Sequence, residues 1–220
     1  MKSDKIEKEQ VKPLLETKFV SVYDLQYEEG RHYYDASRRK KEDLSAIKSE
    51  EDFNAQLPDA VSAFLILKTK GEEARLLLSY EYRYPIGQYL MSVPAGLIDE
   101  EDKKAEDPLI SAMTREIYEE TGISLKETDR IYTVNPLMFC TPGFTDECTA
   151  AICAVAELED LSSLSQEGAE GSEKFDGFLL LTREEAKKIL LAGRDPKGHF
   201  YPMITWAAIS YFLSGLWEEE

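Results

Sequence analysis

The sequence predicts an α/β protein, and three observations carry that reading. Runs rich in aliphatic, β-branched and aromatic residues recur at 60–68, 75–84, 130–139, 149–157 and 175–181, bounded by turn residues. Stretches with helical spacing at 107–121, 182–191 and 202–217 alternate with or follow them. Ahead of residue 58 the pattern changes to a loose apolar–polar alternation over 16–40, broken by Glu28-Glu29-Gly30, as in two or three short antiparallel strands. The expected organisation is an N-terminal β element with a linker over 1–57 and a main domain over 58–220.

Residues 1–13 are charged and read as a frayed helix or tail. The basic run Arg38-Arg39-Lys40-Lys41 follows the first strands and reads as a solvated strand end in preference to a phosphate contact. Residues 42–57 are polar and acidic, a helix or linker. In the main domain the strand at 60–68 turns through Gly71-Glu72-Glu73 into a partner at 75–84. That partner ends in Tyr80-Glu81-Tyr82-Arg83-Tyr84-Pro85-Ile86-Gly87. Arg83 is a planar donor fork able to grip a diphosphate or a carboxylate, and the tyrosines could stack on a base. A strand edge of packed tyrosines is the equal alternative.

The stretch 92–123 has the clearest local grammar. Asp107 suits an N-cap, Pro108 the first helical position, and Gly122 a left-handed C-terminal stop with Ile123 beyond it. At about 100° per residue, Ile110, Met113 and Ile117 form one apolar stripe. Glu116, Glu119 and Glu120 crowd an adjoining face, with Arg115 four residues before Glu119. Like charges at this spacing cost a helix roughly 0.2–0.5 kcal/mol per pair, too little to decide between a solvated acidic face and a metal site. The preceding turn, Val93-Pro94-Ala95-Gly96-Leu97-Ile98-Asp99, shifts the balance. A strand ending at Pro94 and a tight turn at Gly96 would bring backbone carbonyls beside that face. Carboxylates with a carbonyl make a hard, all-oxygen site of the kind Mg²⁺ or Mn²⁺ takes, completed by substrate phosphates.

The stretch resembles the Nudix box: Gly, five residues, Glu, seven residues, then R-E-U-x-E-E-x-G-U with U apolar. Arg115-Glu116-Ile117-Tyr118-Glu119-Glu120-Thr121-Gly122-Ile123 matches at every specified position. Gly96 lies five residues further upstream than the pattern asks, and Asp107 occupies the position of the isolated Glu, with Glu106 beside it. The difference reads as an insertion in the acidic loop 100–106, which a surface loop tolerates cheaply. Residues 80–99 are similar to the QYRYP…ELPAGLID block of the ADP-sugar diphosphatase branch, with Ser92 where a carboxylate often stands. The turn Cys140-Thr141-Pro142-Gly143-Phe144-Thr145-Asp146-Glu147 resembles that branch's SPGFSDE turn.

The resemblance covers residues 59–190 well and the ends loosely. It implies a Nudix-type α/β/α sandwich with a mixed sheet, and an N-terminal β element that builds a homodimer. It implies Mg²⁺ or Mn²⁺ held by Glu116, Glu119, Glu120 and the Ala95 carbonyl, with Glu116 and Glu120 central to catalysis. Arg83 would contact the phosphates or ribose, Leu97 the substrate, and Glu147 the sugar end. The general base would come from the acidic loop 157–173, where Glu170 and Glu173 are candidates; the distance to the next strand favours Glu173. The implied reaction is hydrolysis of a nucleoside diphosphate sugar, ADP-ribose first, to AMP and ribose 5-phosphate. UDP- or GDP-sugars and dinucleoside polyphosphates stay open. A sensor that binds such ligands without cleaving them is the rival; the intact REIYEETG argues against it, the altered first half of the box for it.

Composition bounds the rest. At 43% hydrophobic and 31% charged, the chain has material for a core and an ordinary globular surface. A net charge of −17 argues against a nucleic-acid backbone as partner. No run of eighteen apolar residues exists and the N-terminus lacks an apolar signal core, so the expectation is a cytoplasmic protein without a membrane partner. Cys140, Cys148 and Cys153 are odd in number and lack metal-ligand spacing, which suits reduced thiols. Thr182 with Glu185 forms a capping box for the helix after 181. Trp206, Phe212 and Trp217 read as core or dimer packing, and His32 and His199 as isolated surface or packing residues.

Overall fold

The computed structural model describes residues 5–168 and 173–219. The chain divides into two compact units, Met1–Asp59 with Leu137–Thr149, and Ala60–Pro136 with Ala150–Glu220. The return of Leu137–Thr149 to the first unit is a long-range feature that no local pattern discloses.

In the first unit β1 (Val11–Glu16), β2 (Ser21–Glu28) and β3 (Arg31–Ser37) form an antiparallel sheet in that order. The tail expected over 1–13 is therefore corrected from residue 8 onward, by a 3-10 turn at Lys8–Gln10 and by β1. Val11 is fully buried with Tyr23, Leu25 and Leu44, and this apolar contact prevails over the charged flanks. Pro13 is tolerated because β1 is an edge strand that bulges between Pro13 and Leu15. Gly30, at φ +70°, makes the β2–β3 turn that its missing Cβ permits. Two 3-10 turns, Lys41–Asp43 and Ser45–Ile47, lead to α1 (Glu50–Ala55), capped by Ser49, whose Oγ accepts from Asp52 N at 3.0 Å.

Arg39 is not a solvated strand end. Its side chain is 9% exposed and donates to Asp59 Oδ2 at 2.8 Å, to the Asp146 carbonyl at 2.7 Å and to Cys148 Sγ at 3.2 Å. A guanidinium offers five donors in one plane, which lets a single residue tie three separate segments. Asp35, buried beside this cluster, has its carboxyl pushed up to about 6 by desolvation and by the neighbouring Asp146 charge. His32 is likewise not isolated: its Nδ1 meets Asp24 at 2.8 Å. The cysteines are free thiols.

The second unit is built on a mixed sheet. Its strands are β4 (Ala60–Thr69), β5 (Arg75–Arg83), β6 (Gln88–Ser92), β7 (Ala95–Leu97), β8 (Arg130–Phe139), β9 (Cys148–Leu158) and β10 (Phe175–Leu181). The order is β10-β5-β4-β9-β8, with β6 pairing β5 and β7 pairing β4. The helices are α2 (Pro108–Thr121), α3 (Arg183–Ala192) and α4 (Met203–Ser214). β4 is buried almost end to end, as a strand covered on both faces must be. Met113 and Ile117 of α2 sit in one core with Leu65 and Ile152, each large apolar side chain contributing about 1.5–3 kcal/mol. This seats α2 with a fixed rotation about its axis.

The capping box at α3 is present: Thr182 Oγ1 accepts from Glu185 N, and Glu185 Oε2 from Thr182 N at 3.0 Å. In the C-terminal region Phe212 and Trp217 are buried and stacked at 5.9 Å, whereas Trp206 is 51% exposed and is not a core residue. No helix among the described residues is long and apolar enough to cross a membrane.

Candidate functional site

The site grows from α2. Asp107 Oδ1 accepts from Leu109 N at 3.0 Å and Ile110 N at 3.1 Å, and Gly122, at φ +75°, closes the other end. Between these caps Glu116 and Glu120 are buried, while Glu119 is partly exposed. Facing them, β7 is held on β4 by the pairs Ala60–Leu97, Val61–Gly96 and Ser62–Ala95. Ala95 N donates to Glu120 Oε1 at 3.4 Å.

Gly96 is required by sterics. A Cβ built there would stand 1.9 Å from Glu116 Oε1 and 2.0 Å from its carboxyl carbon, so the carboxylate occupies the space a side chain would fill. Arg115 sets its direction. The guanidinium donates to Glu116 Oε1 at 2.7 Å, Glu119 Oε2 at 3.0 Å, Asp102 Oδ2 at 2.8 Å and the Leu97 carbonyl at 3.0 Å. Burial works against this charge, but the hydrogen bonds to Asp102 and Glu116 outweigh it and raise its proton affinity.

Asp102 is the acid that sequence reasoning missed. It is buried, within a 3-10 turn at Asp102–Lys104, and accepts from Ser111 Oγ at 3.0 Å as well as from Arg115. The loop 100–106 is thus not plain surface insertion. Asp107, assigned to the isolated acid of the box by counting back from Arg115, serves as the helix cap. Counting six residues forward from Gly96 arrives at Asp102, and that was the available signal.

Electrostatics single out the interior of the site. Desolvation first, then repulsion from Glu81, Glu116 and Glu173, pushes the Glu120 carboxyl up to about 9, against the opposing Ala95 N–H. Desolvation, with the Glu119 and Glu173 charges, pushes Glu116 up to about 7 in spite of Arg115. Glu81, buried on β5, is raised by desolvation and by Glu173. Glu81 was not a sequence candidate, although it lies two residues from Arg83 on the same strand face.

Among the described residues no three acids, histidines or cysteines already converge at ligand distance. The donor chemistry nevertheless fits a hard divalent cation. The set is all oxygen, and its two buried members, Glu116 and Glu120, are desolvated and repelled by neighbouring acids enough to favour protons. Arg115 takes one oxygen each of Glu116 and Glu119, leaving lone pairs for a further partner.

The remaining sequence candidates fall as follows. Arg83 ends β5 and pairs with Glu81 at 2.5 Å. Its neighbouring tyrosines pack on one another, Tyr82 against Tyr84 at 5.0 Å and against Tyr89 at 5.2 Å, with Lys174 Nζ over both Tyr82 and Tyr84. Tyr82 N donates to the Lys174 carbonyl at 2.8 Å, which ties down the residue next to Glu173. Glu173 acts electrostatically on Glu81, Glu116 and Glu120. Glu170 lies outside the described residues. The start of the acidic loop is rooted on α2: Ser165 N donates to the Thr121 carbonyl at 2.9 Å, and Gly168 approaches the Glu119 backbone too closely for a Cβ. Leu97 is half exposed, with its carbonyl on Arg115. Ser92 is buried. Glu147 belongs to the first unit, where it accepts from Arg38 Nε at 2.6 Å.

A protein of Arabidopsis thaliana named Nudix hydrolase 14, chloroplastic, is 27% identical over 131 residues, 56% of this chain and 41% of that protein. The aligned relatives and the matched box agree. The chain is similar in sequence to Nudix hydrolases. An ADP-ribose pyrophosphatase of Saccharomyces cerevisiae is 32% identical over 131 residues, 59% of this chain and 51% of the yeast protein. An ADP-sugar pyrophosphatase of Mus musculus is 24% identical over 127 residues, 58% of this chain and 54% of the mouse protein. The chain spans about half the length of the curated relatives it matches. A solved structure described as an ADP compounds hydrolase superposes with a TM-score of 0.55 at 17% identity, covering 95% of this chain and 91% of that one. This likeness shows the fold alone, a mixed α/β architecture with a mixed sheet and a small antiparallel one, as expected. No family model matches the chain.

Proposed function

We propose that this Nudix chain hydrolyses the diphosphate of ADP-sugars, with ADP-ribose the leading substrate, giving AMP and ribose 5-phosphate. The observation that carries the reading is the buried carboxylate group on α2, raised in proton affinity by burial and mutual repulsion and aimed by Arg115. The names of the yeast and mouse relatives support the substrate class.

In this reading Glu116, Glu119, Glu120 and the Ala95 carbonyl hold a divalent cation, Mg²⁺ or Mn²⁺. When bound, such an ion neutralises the diphosphate and makes water more acidic. Arg83 aligns the phosphates through its planar fork, and fixing their direction is a large part of the rate gain. Leu97 borders the substrate. Glu173, which acts electrostatically on Glu81, Glu116 and Glu120, accepts the proton of the attacking water. The resemblance implies that the first unit builds a homodimer.

The test is release of AMP from ADP-ribose by purified protein with Mg²⁺, beside a panel of UDP- and GDP-sugars and dinucleoside polyphosphates. Turnover of ADP-ribose should be fastest and should fall at least a hundredfold in Glu120→Gln. Binding without turnover would replace the enzyme reading by a sensor; no binding at all would end both.

A further inference from the structure

Arg83 and Glu81 form an ion pair at 2.5 Å between two unlike environments. The Arg83 side chain is 43% exposed, the Glu81 side chain 11%. Two residues apart on β5, they share one face of the strand. Two further acids repel the charge of Glu81, the buried Glu120 and the exposed Glu173. Glu81 is thus shared by a partly exposed guanidinium and a buried like charge.

We infer that Glu81 couples cation binding to diphosphate binding, holding Arg83 until a diphosphate takes it and then joining Glu116, Glu119 and Glu120 around the divalent cation. This rests on the reading of a cation-dependent diphosphate site and deepens it, by naming the residue that makes the two ligands bind as a pair. The guanidinium fork matches a carboxylate and a phosphate equally in shape, so it cannot serve both at full strength. A diphosphate carries more charge than one carboxylate and wins the fork. Glu81 is then a buried carboxylate stripped of its counter-ion, an expensive arrangement unless another cation neutralises it. In the other order, a cation draws Glu81 inward and frees the fork. Each ligand therefore raises the affinity for the other, by a factor that linkage makes equal in both directions.

The test uses the full chain, with α,β-methylene ADP-ribose as a probe whose bridge is not cut. Calorimetry should show the parent binding the probe at least tenfold more tightly with Mg²⁺ than with EDTA. In Glu81→Gln the probe should bind at least threefold more tightly than the parent in EDTA, because Arg83 is free. The ratio between the two conditions should fall below threefold, and Mn²⁺ alone, followed by its electron spin resonance, should bind several-fold more weakly. A purely structural role would lower Tm and leave that ratio intact. Glu81→Gln with the parent's ratio and the parent's Mn²⁺ affinity overturns the coupling while leaving the substrate reading in place. A parent that binds no probe with Mg²⁺ overturns the substrate reading, and the coupling with it.

Discussion

Glu120→Gln should make the cation-free protein more stable while removing its activity. Glu120 is 2% exposed, and its carboxyl is pushed from the ordinary 4.5 to about 9. A carboxyl raised in the folded state costs nothing below its unfolded value; the cost grows with each pH unit above 4.5 and levels off near 9. At pH 7 the folded state must hold this carboxyl protonated while the unfolded chain leaves it ionised, which costs about 3 kcal/mol, from 1.36 kcal/mol for each unit between 4.5 and 7. Glutamine is neutral without taking up a proton and has nearly the same volume. Its own amide must be desolvated, but acceptor oxygens of neighbouring acids lie nearby, so a net gain of about 1–3 kcal/mol remains. Urea unfolding in EDTA at pH 5, 7 and 8.5 measures it. The gap between variant and parent should be small at pH 5 and widest at pH 8.5. Adding Mg²⁺ should then stabilise the parent more than the variant, because only the parent keeps the full donor set. A variant less stable than the parent at pH 8.5, or a gap that ignores pH, would refute the argument that burial makes ionisation of Glu120 costly.

Gly96→Ala should cut AMP release at least a hundredfold, since its Cβ displaces the Glu116 carboxylate from Arg115; differential scanning calorimetry should show a loss near that of one charge-assisted hydrogen bond, about 1.5–3 kcal/mol. Asp102→Asn keeps the shape but removes the charge that anchors Arg115, and turnover should drop about tenfold or more with a fall in Tm. Asp102→Glu, retaining the charge, should restore part of the turnover if the anchor matters. Arg39→Met leaves the largely shielded Asp59 and Asp146 without their cation and should destabilise the first unit by up to about 3–5 kcal/mol, visible as early loss of hydrogen-exchange protection in β1–β3.

How much was readable from sequence depended on how far each interaction reaches along the chain. The caps of α2 and the capping box of α3 are contacts within four residues, and Asp107, Pro108, Gly122, Thr182 and Glu185 all announced themselves. The burial of Met113 and Ile117 followed from helical spacing. Arg39 looked solvated because its partner carboxylates lie at 59 and 146, and only the folded chain brings residue 146 to residue 39. β1 was hidden for a similar reason: its charged residues point outward, and a single buried Val11 carries the attachment. Asp102 and Glu81 lay in plain view as acids. What sequence could not express was the tertiary placement that buries one under Arg115 and turns the other toward Glu120. Local rules supplied the helix and its acids; strand pairing and long-range burial supplied their chemistry.

The discontinuous first unit bears on how the molecule is made. Its clamp, Arg39 between Asp59 and Asp146, cannot close until the ribosome has delivered the segment Leu137–Thr149. The three N-terminal strands must therefore wait through the synthesis of the Nudix box, and a gene fragment cut after Asp59 would yield them without the acid that locks their end. Anyone wishing to study that portion by itself would have to splice the later segment back onto it.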